Sequence, residues 1–175
     1  VPKSIDDLEE SRKEDTDGQT DETFEEANLD SYPYIVTNID DYMHVNADKF
    51  YDRSYTSGLE NAVTNIIDLE GPVSFDVIIE RIKAAHGFGK AGAKIRNVVA
   101  KVIPQGYRTT THKFNGEEKR FYWPKDFDPK DWRGARYPNA YEEESLRELF
   151  DISPQEIHAI SRVFSSENLD TQNRK

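Results

Sequence analysis

The chain has 175 residues, no cysteine, 35% hydrophobic residues and a formal net charge of -11. Disulfides and thiolate metal sites are therefore excluded, and so small an apolar fraction is thin cover for one compact core of this length. No apolar run is long enough to span a bilayer and no basic-then-apolar leader is read, so a cytoplasmic protein without membrane contact is expected. The chain begins at Val1 rather than at methionine and is read as a fragment of a longer protein. Its charge is uneven: residues 1–30 sum to -9, 31–70 to -5, 71–136 to +7 and 137–175 to -4. A basic module inside an acidic chain bears on partners more than on fold.

Residues 1–31 are acidic, poor in apolar residues and without a sustained period, and read as a disordered acidic linker. Residues 32–55 carry Tyr32, Tyr34, Tyr42, Phe50, Tyr51 and Tyr55, the makings of an irregular aromatic arm packed on the next domain. From Leu59, apolar residues Leu59, Ala62, Val63, Ile66 and Ile67 follow helical spacing until Gly71-Pro72 stops them. Ser74 is placed to cap a second helix whose Phe75, Ile78, Ile79 and Ile82 repeat the spacing. A third helix is predicted with Ala91, Ile95, Val98, Val99 and Val102 on one face and Pro104 beyond its end. Asn115-Gly116 then signals a type I′ hairpin, pairing Lys113 with Glu118 and Thr110 with Phe121. Phe114, Phe121 and Trp123 are expected on the face toward the helices, and Lys113, Arg120 and Tyr122 on the outward face. Pro124 closes the hairpin, and residues 124–140 read as loop. Ser153, Pro154 and Glu156 form a capping-box signature for a last helix with Ile157, Ile160 and Phe164 as its stripe. Residues 56–136 thus read as a winged helix-turn-helix, three helices plus a two-stranded wing, mainly α with a small hairpin. Residues 137–175 read as a loop, a C-terminal helix and a frayed tail.

The stretch HGFGKAGAKIR, residues 86–96, resembles a phosphate loop only in its glycines. A helix rather than a strand precedes it and Ala91 follows Lys90, so neither a Walker A loop nor a dinucleotide fingerprint is supported. Gly87 is assigned to a left-handed helix end, Gly89 to a sharp turn and Gly92 to close packing of the third helix. Lys90, Lys94, Asn97 and Lys101 make one polar stripe on that helix, flanked by Arg96. A stripe of this kind suits docking in a major groove, with Lys113, Lys119, Arg120 and Tyr122 of the wing as further contacts. The free amides at the third helix's start, beside Lys90, suit a backbone phosphate.

The order YPYIV, DLEGPVSFDVIIERI, GFGKAGAKIR, FYWP, RGAR and SPQEI resembles a bacterial family of domains of unknown function over residues 32–160. The features that carry the likeness are Glu70-Gly71-Pro72, Arg81-Ile82, the glycine spacing into the third helix, Trp123-Pro124, and Pro154 with Glu156 and Ile157. Members lie at the C-terminal end of large superfamily I helicase-like proteins. The resemblance therefore implies an accessory module whose partners are nucleic acid, DNA first, and the upstream helicase and nuclease-like domains of its parent. The family continues helically beyond PQEIHAI, which implies a trimmed C-terminus.

No catalytic set is read. His44, His86, His112 and His158 lack ligand spacing, although His86 and His112 are candidates to meet in the fold. Glu117 and Lys119 have the spacing of a nuclease motif but sit at a hairpin tip without convergent carboxylates. The expectation is a non-enzymatic module with no metal and no cofactor. The competing expectation is a winged helix that docks on protein, either its own helicase or nuclease core or a separate partner. The pI of about 4.8 favours that alternative.

Overall fold

A computed structural model describes residues 31–162. The expected acidic linker (apart from Ser31), Phe164 and the tail lie outside the described residues. Three α-helices form the centre: α1 (Thr56–Glu70), α2 (Phe75–Ala85) and α3 (Ala93–Val102). Each buries the face that its apolar spacing marks out. Leu59, Ala62, Val63, Ile66, Ile67, Ile78, Ile79, Ile82, Ile95, Val99 and Val102 meet in one core. Ser74 caps α2 by accepting a hydrogen bond from Val77 N at 3.1 Å. Gly87 follows α2 with φ +67°, the left-handed end anticipated for it.

Two small sheets complete the fold. Strands β2 (Val73–Ser74), β3 (Thr109–Phe114) and β4 (Glu117–Tyr122) form an antiparallel sheet of order β2-β4-β3. The hairpin register pairs Lys113 with Glu118 and Thr110 with Phe121, as the Asn-Gly turn requires. Asn115 and Gly116 both have positive φ. The second sheet pairs β1 (Ser31–Pro33) in parallel with β5 (Ala135–Tyr137). The chain is helical again from 154 to 162.

Several expectations are corrected. The fold is a mixture of helices and small sheets rather than mainly α with one hairpin, because β1, β2 and β5 are too short to show alternation. The third helix begins at Ala93, so Lys90 precedes it in a loop. Gly89 and Gly92 have no positive φ, and a Cβ at either would meet nothing within 4 Å. Close packing therefore does not explain Gly92. The faces of the hairpin are exchanged: Tyr122 joins the helical core beside Phe75, whereas Trp123 packs with Trp132 and Ala159 of the C-terminal segment. Only the base of the hairpin is covered on both faces, at Phe121 and Tyr122, while β3 and the start of β4 stay exposed or half-buried, and an alternating pattern cannot signal such local burial. In the arm, Tyr34, Phe50 and Tyr55 are buried, whereas Tyr51 is exposed.

Candidate nucleic-acid interface and the buried clasp beneath it

On α3, Lys94, Asn97 and Lys101 are exposed while Ile95, Val99 and Val102 are buried, so the polar stripe faces solvent. Lys94 Nζ lies 3.8 Å from the centre of the Tyr51 ring. This cation–π contact draws the arm into the surface, and the exposed Tyr51 meets Lys94 there, which the spacing of aromatic residues does not signal. Lys90 is exposed in the loop before α3, whose N-terminus has no side-chain cap. On the hairpin, Lys113 and Arg120 are exposed.

Three expected contacts are differently engaged. Arg96 Nη2 donates to Asp76 Oδ1 at 2.8 Å, and its guanidinium lies over Phe75. Lys119 Nζ sits 2.9 Å from Asp151 and 3.2 Å from Asp76, only 17% exposed. Burial pulls the Lys119 ammonium down, but hydrogen bonds and charge from Asp151 and Asp76 outweigh it and raise it. Tyr122 is 9% exposed and belongs to the core. Among the described residues Lys90, Lys94, Lys101, Lys113 and Arg120 have no ion pair, so the stripe and the hairpin flank keep their charge while Arg96 and Lys119 are neutralised locally.

The residues that carried the family resemblance do something else. Glu70, fully buried, accepts from the Tyr34 hydroxyl at 2.6 Å, from Thr37 N at 3.0 Å and from Arg81 Nε at 3.1 Å. Arg136 donates to the carbonyls of Glu70 (2.6 Å), Gly71 (3.0 Å) and Pro72 (2.9 Å), satisfying the end of α1 and the chain leaving it. The same guanidinium holds Glu156 at 2.7 and 2.9 Å, and Arg147 grips that carboxylate from the other side with two bonds of 2.8 Å. Arg147 also stacks over Tyr34 at 4.1 Å. Burial pushes the Glu156 carboxyl up, but Arg147 and Arg136 hold it below its ordinary range. Half of the anticipated capping box forms, because Ser153 accepts from Glu156 N while the Glu156 side chain goes to the arginines. Sequence patterns marked these residues but not their meeting, since Glu70 and Arg136 are far apart in the chain.

A family described as protein of unknown function (DUF3320) matches residues 48–97. The matched window runs from the arm into α3, taking in Glu70-Gly71-Pro72, Arg81, Lys90 and Lys94. It supports reading this part of the chain as a domain of unknown function. No curated protein and no solved structure matches the chain.

His86 and His112 do not form a shared site. His86 packs among Phe50, Tyr55 and Phe88, while the ring partner of His112 is Phe121. No group of three or more His, Asp or Glu side chains able to hold a metal occurs among the described residues. None of the helices described there is long and apolar enough to cross a membrane.

Proposed function

We propose that residues 56–136 are a winged helix that serves as a non-catalytic accessory domain of a cytoplasmic, helicase-like DNA- or RNA-processing protein. In this reading α3 and the hairpin contact the nucleic-acid backbone. The chain order α1-β2-α2-α3-β3-β4 and the sheet order β2-β4-β3 support the winged-helix part. The observation that carries the binding part is the selective pairing of cations. Arg96 and Lys119 are held by Asp76, whereas Lys94 and Lys101 stand exposed on one face of α3 with no carboxylate partner among the described residues. Phosphate contacts need such free ammonium groups, and they position a helix without reading sequence. Lys90, Asn97, Lys113 and Arg120, each exposed, are the further contacts of this reading.

Fluorescence anisotropy of labelled duplex and single-stranded DNA with the full chain tests this. The expected outcome is saturable binding that the pair Lys94→Glu and Lys101→Glu abolishes without loss of helicity. Equal binding by wild type and variant would contradict it. A second reading, docking on protein, is favoured by Tyr141, Leu146 and Leu149, which stand 97%, 66% and 60% exposed in an acidic stretch. It predicts no DNA binding at low salt.

A further inference from the structure

A cleft of about 210 Å³ opens between α3 and the hairpin. Arg96 and Ala100 line it from α3, Lys119 and Arg120 from β4, and Asp76 from the first turn of α2. The two oxygens of Asp76 serve different elements. Oδ1 accepts from Arg96 Nη2 at 2.8 Å, and Oδ2 lies 3.2 Å from Lys119 Nζ. The two cations depend on Asp76 unequally. Lys119 has a second carboxylate, Asp151 at 2.9 Å, and its side chain is 17% exposed. Among the described residues Arg96 has Asp76 alone as its carboxylate. The guanidinium of Arg96 also lies 5.1 Å from the centre of the Phe75 ring, a contact that keeps it at the cleft with or without Asp76.

This pair is unlike those of the buried clasp. There Arg136, Arg147 and Glu156 are all 5% exposed or less, and Glu70 is fully buried beneath Arg81. Arg96 and Asp76 are 40% and 41% exposed, so an anion from solution reaches them. A half-exposed ion pair is weak, and a guanidinium offers a phosphate the same fork of N–H donors that it offers a carboxylate.

We propose that Asp76 is a built-in competitor for nucleic acid. Its carboxylate stands where a backbone phosphate would stand against Arg96, and it thereby limits how tightly α3 and the hairpin hold a strand. This role rests on the nucleic-acid reading above and adds to it a residue that sets binding strength by opposing it. The position suits the role, because a carboxylate in the first turn of a helix is favoured by the free amides there and does not need Arg96 to stay in place.

Anisotropy of labelled duplex DNA with the full chain tests it, across a series of salt concentrations and with thermal melts beside it. Asp76→Asn is expected to bind about two- to fivefold tighter than wild type, the strength of a half-exposed ion pair. Its slope of log affinity against log salt is expected to be steeper by about 0.9, one further phosphate contact. In an Arg96→Gln background the same substitution should lose most of that gain and leave the slope unchanged. Asp76→Ala repeats the reading with a second side chain if the melts show Asp76→Asn to be poorly folded. A gain of equal size in both backgrounds would mean general relief of negative charge and would overturn the proposal. So would a folded Asp76→Asn protein that binds no tighter. Where wild type binds and Lys94→Glu with Lys101→Glu abolishes binding, such a failure belongs to Asp76 alone. Where neither wild type nor Asp76→Asn binds at low salt, the nucleic-acid reading fails and the role of Asp76 fails with it.

Discussion

His86 shows how one side chain fixes its own protonation. Its Nδ1 lies 2.7 Å from the Ile82 carbonyl, which can only accept, so Nδ1 carries the proton. Nε2 is then a lone pair accepting from the Tyr55 hydroxyl at 2.9 Å, and that hydroxyl in turn accepts from Asn46 N at 2.7 Å. Burial lowers His86 from its ordinary 6.5, against the pull of the Ile82 carbonyl and Asp40. Burial also lowers His112. The unfolded chain takes up these protons at a higher pH than the folded one does. Their contribution is complete above pH 6.5 and is lost as pH falls through the lowered folded values. Thermal melts should therefore show stability falling below pH 6.5, and His86→Gln should flatten that slope while His112 maintains the rest. An unchanged slope would refute the assignment. At Glu156, the substitution Glu156→Gln strips the charge that faces Arg136 and Arg147 in a buried site. It should cost about 3–5 kcal/mol in denaturant unfolding.

At the scale of elements, helices α1 and α2 are legible because Leu59 to Ile67 and Phe75 to Ile82 carry a period that packing simply obeys. The hairpin register is legible because Asn115 and Gly116 supply the two positive φ values its turn needs. Which face of the hairpin lies inward is not legible. Tyr122 and Trp123 both find cover, one under α2 and one under the C-terminal segment, and only tertiary packing decides which goes where. Nor does the pattern of basic residues separate Lys119 from Lys113, because Asp76 and Asp151 reach Lys119 from distant parts of the chain. Lys119→Ala should accordingly lower the melting temperature and leave DNA affinity within about twofold, an outcome that anisotropy beside a melt will read. At the α1–β2 junction, a Cβ on Gly71 would lie 2.6 Å from Pro124 Cδ and closer still to the Ile67 carbonyl. Gly71→Ala should destabilise by about 1–3 kcal/mol in the same unfolding assay.

The whole molecule divides its charged residues between two tasks. Glu70, Arg81, Arg136, Arg147 and Glu156 join the arm, α1, α2, β5 and the C-terminal helix through one buried network, and all of them but Arg147 lie in the motifs that carried the sequence resemblance. Their legibility came from motif, and their role from geometry, because no pattern in the chain reveals that Arg136 closes on the carbonyls of Glu70, Gly71 and Pro72. The exposed lysines of α3 belong to no such network, and on this account they are free to meet a phosphate backbone. The most direct test is the slope of DNA affinity against salt concentration for the wild type and for Lys94→Gln with Lys101→Gln. Each lysine that displaces a counterion from duplex DNA contributes about 0.9 to that slope, so the double variant should be shallower by roughly two. A steep wild-type slope that the variant leaves unchanged would move binding off α3 and contradict the account.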